Sequence, residues 1–269
     1  MIIIGEKLNG SIPSVVQAIA RRDSEFIRQL ALAQTAAGAD FLDCCASVPE
    51  AQEPEVLAWM IDNIQQVTDT PICVDSPSAA VLKAVFSACK KPGILNSVSG
   101  EGNKLDTIFP LLAENPGWQV IALLSDDRGI PKNAADRLRV LDKIMAKAAE
   151  YGISPARIHI DPLIEMLCTA EEGIGMVLEV IRTIRDRYPT IHITGAVSNV
   201  SFNLPARALI NQAFLVLAME AGMDSAVLDP TKKDLMGVLY ATEAMLGEDE
   251  YCMEYIGAYR RGIFGTPKA

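Results

Sequence analysis

Gly5-Glu6-Lys7-Leu8-Asn9-Gly10 follows the apolar run Ile2-Ile3-Ile4, and its reading decides the fold. A doubly wound nucleotide-binding sheet would carry Gly-x-Gly-x-x-Gly at this first turn, with glycines for the tight bend and close phosphate approach. The hexapeptide lacks that spacing. The rest of the chain alternates short apolar runs with segments of helical period. That alternation predicts an α/β protein built as a (β/α)8 TIM barrel, with an open doubly wound sheet as second choice.

Working outward, strand-like runs cover Ile2 to Lys7, Phe41 to Cys45, Ile72 to Asp75, Ile94 to Val98, Val120 to Ser125, Arg157 to Asp161, His192 to Ser198 and Ser225 to Asp229. Apolar runs of this length read as parallel strands buried on both faces. Helical segments separate them. One opens at Ser24 and stops at Gly38, and another opens at Pro54, where a proline's missing N–H is not needed. Others run from Ser78 to Cys89, Lys104 to Glu114, Asn133 to Tyr151, Ala170 to Tyr188, Arg207 to Ala221 and Lys233 to Leu246. Gly152 and Gly222 stand where a left-handed helix stop belongs. Each crossover is long enough for parallel pairing. With no linker or composition shift, residues 1–269 read as a single barrel domain.

Half of the 269 residues are hydrophobic and 22% are charged, enough for a sizeable core. The net charge of −10 and pI near 4.8 repel a phosphate backbone, which argues against a nucleic-acid partner. No run reaches the ~20 apolar residues of a membrane span. Met1 to Lys7 is too short and too poor in bases for a signal peptide, so the expected location is the cytoplasm. Cys44, Cys45, Cys73, Cys89, Cys168 and Cys252 form no Cys-x-x-Cys pair and read as small buried apolar residues.

The residues that close the strands are Glu6 and Asn9, Asp43, Asp75 and Ser76, Asn96 and Ser97, Ser125 and Asp126, Asp161, Ser198 and Asn199, and Asp229. This ring is rich in carboxylates and amides and poor in bases. The last two loops, Ser198 to Asn203 and Asp229 to Lys233, are not glycine cradles for phosphate. Lys7 reads as a snorkelling surface residue rather than a Schiff-base lysine. His159 and His192 lack metal-ligand spacing and suit hydrogen-bonded core or barrel-lining positions, so no bound metal is expected. Each strand-end Asp taken alone is open to a helix cap or a loop hydrogen bond. Asp75, Asn96 and Asp161 on one rim instead suit a neutral nitrogen heterocycle with adjacent donors, such as the 2-amino-4-oxopyrimidine edge of guanine or a pterin.

Six words occur in order along the chain: Ile4-Gly5-Glu6-Lys7-Leu8-Asn9-Gly10, Cys73-Val74-Asp75-Ser76, Leu95-Asn96-Ser97, Ile160-Asp161-Pro162-Leu163, Ser198-Asn199-Val200-Ser201 and Arg207-Ala208-Leu209-Ile210-Asn211. Together they resemble the methyltetrahydrofolate:corrinoid protein methyltransferases. These are pterin-binding barrels related to dihydropteroate synthase and to the folate domain of cobalamin-dependent methionine synthase. The resemblance implies that Asp75, Asn96 and Asp161 hold the pterin and that Asn199, beside N5, is catalytic. It places Ser198, Phe202 and Arg207 at the same pocket, although Arg207 is equally open to pairing with a carboxylate at its helix start. It further implies tetrahydrofolate or 5-methyltetrahydrofolate as substrate, a corrinoid carried by a partner protein, no metal in the barrel, and a homodimer. Two positions depart from the pattern: Cys45 follows Asp43 where an Asn is common, and Phe202 replaces a polar amide.

The chemistry the resemblance implies turns on N5, a poor leaving group unless it gains a proton or a strong hydrogen bond. Asn199 can donate in one direction and accept from N5–H in the other. The lost polarity at Phe202 favours transfer from methyl-corrinoid to tetrahydrofolate, as in catabolic demethylation. Two alternatives stand beside this reading. A dihydropteroate synthase would need a diphosphate site and a basic cluster, which the rim is expected to lack. A non-catalytic folate-binding subunit would have no use for Asn199.

Overall fold

The computed structural model describes residues 1–170 and 173–266. Eight parallel strands form one sheet: β1 (Ile2–Asn9), β2 (Phe41–Cys45), β3 (Ile72–Asp75), β4 (Ile94–Gly100), β5 (Gln119–Asp126), β6 (Ile158–Asp161), β7 (His192–Ile193) and β8 (Ser225–Leu228). Their spatial order is β7-β6-β5-β4-β3-β2-β1-β8. The ends of that order meet through an Ala196–Val227 bridge and a Val227 N–H to Gly195 carbonyl bond of 3.0 Å, so the sheet curls into a barrel. The helices are α1 (Pro13–Arg21), α2 (Ser24–Ala36), α3 (Glu53–Gln65), α4 (Ala79–Val85), α5 (Lys104–Glu114), α6 (Ala134–Glu150), α7 (Gly175–Arg187), α8 (Arg207–Glu220), α9 (Lys233–Leu246) and α10 (Met253–Arg260).

Local chemistry starts and stops these helices. Asp23, Ser78 and Asn133 accept N–H bonds from Phe26, Val81 and Asp136 at the heads of α2, α4 and α6. The opening hexapeptide has a packing explanation. Gly5 leaves room for the Gln34 amide, whose oxygen takes the Lys7 N–H at 2.9 Å. A Cβ on Gly10 would lie 1.9 Å from the Ala46 carbonyl, so only glycine lets β1 leave the sheet here.

Two apolar layers hold the barrel. Ile4, Cys73, Ile94 and Ile121 form a small cluster of their own, and a larger one joins the other strand faces to the helices. At the opposite end from the strand termini, His159 stacks on His192 with ring centroids 4.7 Å apart. His159 also bonds Ser225 (3.1 Å) and Gln119 (2.6 Å), and burial lowers its pKa to about 3. Both histidines therefore have the hydrogen-bonded structural place expected of them.

Several expectations need correction. The seventh strand does not reach Ser198. It ends at Ile193, and Val197–Ser201 is a 3-10 turn, because the chain must bend inward there to present its polar residues. The segment 78–89 is α4 plus a 3-10 turn, Phe86–Ala88. The helix expected from Ala170 begins at Gly175, and Glu171 and Glu172 within that span lie outside the described residues. No helix was anticipated where α1 and α10 stand. Cys44, Cys45 and Cys73 are buried, but Cys89 is only half-buried and Cys168 and Cys252 are exposed. None of the described helices is long and apolar enough to cross a membrane.

Candidate active site

The carboxyl ends of the strands open into a cavity of about 560 Å³. Every site residue assigned from the sequence lines it: Asp75, Asn96, Asp161, Ser198, Asn199, Phe202 and Arg207. They come from β3, β4, β6, the 197–201 turn with Phe202 just after it, and α8, and strand register carries part of the convergence, since Asp75 sits opposite Asn96 and Cys45 opposite Asp75.

Polar contacts orient these side chains. Asn96 Nδ2 donates to Asp43 Oδ1 at 3.2 Å, which turns its carbonyl oxygen away from Asp43. Asp161 Oδ1 accepts the Leu163 N–H at 2.7 Å, a loop bond that fixes one oxygen and leaves the other for the cavity. Ser198 Oγ donates to Glu6 Oε2 at 3.2 Å. Arg207 donates through Nε to Ser201 Oγ (2.9 Å) and through Nη2 to the Ser198 carbonyl (2.8 Å), and its guanidinium lies 4.6 Å over the Phe202 ring. Those contacts replace the carboxylate pairing left open for it. The Asn199 backbone N–H bonds the Ala196 carbonyl at 3.1 Å, and among the described residues its side-chain amide, at the cavity wall, has no hydrogen-bond partner.

The electrostatics are those of desolvated acids. Burial, reinforced by the neighbouring Asp75 charge, pushes the Asp43 carboxyl well above its ordinary value. Burial also raises Asp75, and the neighbouring Cys45 thiol partly offsets the rise. The Cys45 thiol is itself held neutral by burial and lies 3.2 Å from Ser47 Oγ. Burial brings Asp161 up to about 6 and raises Glu6. Buried acceptors short of donors are costly, and a ligand edge carrying several N–H groups relieves that cost.

Asp43 and Glu6 belong to this cavity although the sequence reading only placed them in the ring of strand ends. A carboxylate inside the apolar strand Phe41-Leu42-Asp43-Cys44-Cys45 was the available signal for Asp43. Glu6 offered only its place at the end of the first strand. The rim is also less poor in bases than expected. A second cavity, of about 580 Å³, shares Glu6, Ser198 and Arg207 with the first and is lined by Lys7, Lys232 and Lys233 as well. Lys7 is half-buried there, 3.5 Å from Asp229, rather than loose on the surface.

Comparison with known proteins follows the same lines. The pterin binding enzyme family matches residues 5–229. A methylcorrinoid:tetrahydrofolate methyltransferase of Eubacterium limosum is 47% identical over 270 aligned positions, covering 100% of both chains. Methionine synthases of Mycobacterium leprae and Mycobacterium tuberculosis are each 28% identical over 86% of this chain, which spans only 20% of their length. Among solved structures, Yersinia pestis dihydropteroate synthase with a pterine-sulfa conjugate superposes with a TM-score of 0.69 at 16% identity, covering 92% of this chain and 93% of that one. The Xanthomonas albilineans dihydropteroate synthase in complex with 7,8-dihydropteroate gives 0.65 at 19% identity, with 92% coverage of each chain. At such identities these structures establish the barrel fold. The chain thus belongs to the pterin-binding enzyme family, and its full-length relative puts it with that family's corrinoid-linked methyltransferases.

Proposed function

We propose that the protein moves a methyl group between the cobalt of a corrinoid, carried by a partner protein, and N5 of tetrahydrofolate, running toward folate in a catabolic demethylation. One observation carries the reading: Asp75, Asn96 and Asp161 converge in a single desolvated cavity with Asn199 on the same rim. The 47% identical relative, whose name gives methylcorrinoid and tetrahydrofolate, supports it.

In this reading the carboxylates of Asp75 and Asp161 accept from the N–H groups of the pterin edge, and the Asn96 amide completes the grip. Ser198 anchors Glu6 and the 197–201 turn, while Phe202 and Arg207 wall the side where the rest of the folate leaves. The N5 lone pair attacks the methyl carbon, the cobalt–carbon bond breaks with both electrons staying on cobalt, and the N5 proton passes to solvent water. The Asn199 oxygen accepts from N5–H and aims the lone pair, and in the reverse direction its N–H stabilises the departing nitrogen. The corrinoid supplies the methyl and takes the electron pair. The protein supplies orientation and polarisation.

The test is spectroscopic: purified protein, tetrahydrofolate and methylcobalamin, followed by cobalt absorbance. Loss of methylcobalamin that depends on folate supports the reading. No change with free methylcobalamin or with a methylated corrinoid protein refutes it. Rates in both directions on one corrinoid protein decide the direction. The basic wall of the second cavity gives dihydropteroate synthase chemistry its one specific footing, which condensation of p-aminobenzoate with a pterin diphosphate would reveal.

We also propose a homodimer, supported by the exposed apolar side chains of Leu209 on α8, Met245 on α9, Tyr251 in the following turn and Met253 at the start of α10. Residues 1–269 are taken as one pterin-binding domain. Free cysteines suit a reducing compartment, which supports a cytoplasmic location.

A further inference from the structure

Arg137 is an unusual residue to find inside a protein: it sits in α6 with its side chain fully buried. A buried guanidinium must place its donors, and Arg137 places them on two loops at the mouth of the barrel. Nε donates to the Pro131 carbonyl at 3.1 Å, in the loop after β5. Nη1 donates to the carbonyls of Pro162 and Leu163, the latter at 2.7 Å, and Nη2 reaches Glu165 Oε2 at 2.6 Å, all in the loop after β6.

The residues it grips come directly after Asp161. Leu163 has φ of 67°, a left-handed conformation that L side chains rarely adopt. The Leu163 N–H, in one peptide plane with the Pro162 carbonyl, donates to Asp161 Oδ1 at 2.7 Å. The chain of contacts therefore runs from the Arg137 fork to the Pro162 carbonyl, across the rigid Pro162–Leu163 peptide plane to the Leu163 N–H, and on to one oxygen of Asp161, with the bond to the Leu163 carbonyl holding the next peptide as well. We propose that Arg137 is a positioning residue: it sets the orientation of the Asp161 carboxylate toward the pterin without touching the pterin itself. The proposal rests on the folate reading above. A lysine cannot reproduce the fork, because one ammonium cannot reach carbonyls on both loops in a fixed plane.

The test measures tetrahydrofolate binding by calorimetry and steady-state methyl transfer on the full chain, for Arg137→Lys and for Arg137→Lys combined with Asp161→Ala. Asp161 grips the pterin equally before and during transfer, so its misplacement raises Kd and KM and spares kcat. We expect Arg137→Lys to raise both roughly tenfold with kcat within about twofold, and to change Kd less than about twofold once Asp161 is Ala. An equal loss of affinity in both backgrounds, or none in either, overturns the proposal. If the Arg137 variant does not fold, Glu165→Ala loosens the same clamp from its exposed end. A smaller rise in Kd that vanishes with Asp161→Ala then supports the proposal, and a rise that persists overturns it. If the wild type fails to bind tetrahydrofolate, it is the folate reading that falls.

Discussion

Among single residues, the proposed methyl transfer assigns the chemistry to Asn199, and Asp161 carries a cost of burial. Asn199→Ala leaves the pterin grip in place and removes the group beside the reacting nitrogen, so methyl transfer should fall about tenfold or more, as stopped-flow cobalt absorbance would show. Asp161 is buried with its pKa raised to about 6. A carboxyl raised above its unfolded value stabilises the fold fully below that value, and the contribution is lost as pH rises through about 6. Asp161→Asn, which cannot ionise, should therefore melt higher than wild type at pH 7.5, by an amount on the order of 2 kcal/mol, while binding folate more weakly. The two melting curves should converge near pH 4. Equal melting at both pH values would show that burial does not tax this carboxylate. That Asp75 and Asp161 line the cavity was legible, because each ends an apolar run. Asp43 was harder to assign, since its role depends on an Asn96 contact 53 positions away that no local pattern encodes.

For the elements, hydropathy period revealed β2 and β3 to the residue and most helices to within a turn. It failed where tertiary demand overrides local pattern. Gly195-Ala196-Val197 is apolar enough for a strand, yet the backbone turns there because the barrel needs Ser198 and Asn199 at its mouth. α1 is short and opens at Pro13, so its buried Val15, Ala18 and Ile19 give too brief a stripe to stand out. The glycines of the first turn carried more information than their spacing suggested. Gly10 gives its N–H to the Cys45 carbonyl at 2.8 Å while its missing side chain makes way for Ala46. Gly10→Ala should pry β1 from β2 at the rim, lowering stability by about 3 kcal/mol in urea titrations and weakening folate binding with it. A substitution tolerated at wild-type stability would mean that the loop has slack to move aside.

For the whole molecule, an acidic surface is set against exposed apolar residues on α8, α9 and the segment after α9. Net charge keeps copies apart in general, and the proposed homodimer would meet through such apolar residues. Light scattering should give twice the chain mass for wild type and a single chain for Leu209→Lys combined with Met245→Lys, with methyl transfer retained by the monomer if each barrel is complete in itself. An unchanged mass would move the interface elsewhere. The two-residue β7 has a last consequence for the barrel as a container. A wall stitched elsewhere by ladders of three or more residue pairs has a seam beside residues 194–203, held by isolated backbone bonds. Breathing should begin at that seam. Deuterium should enter there long before it enters β4 or β5, and an occupant touching both lips should slow its entry.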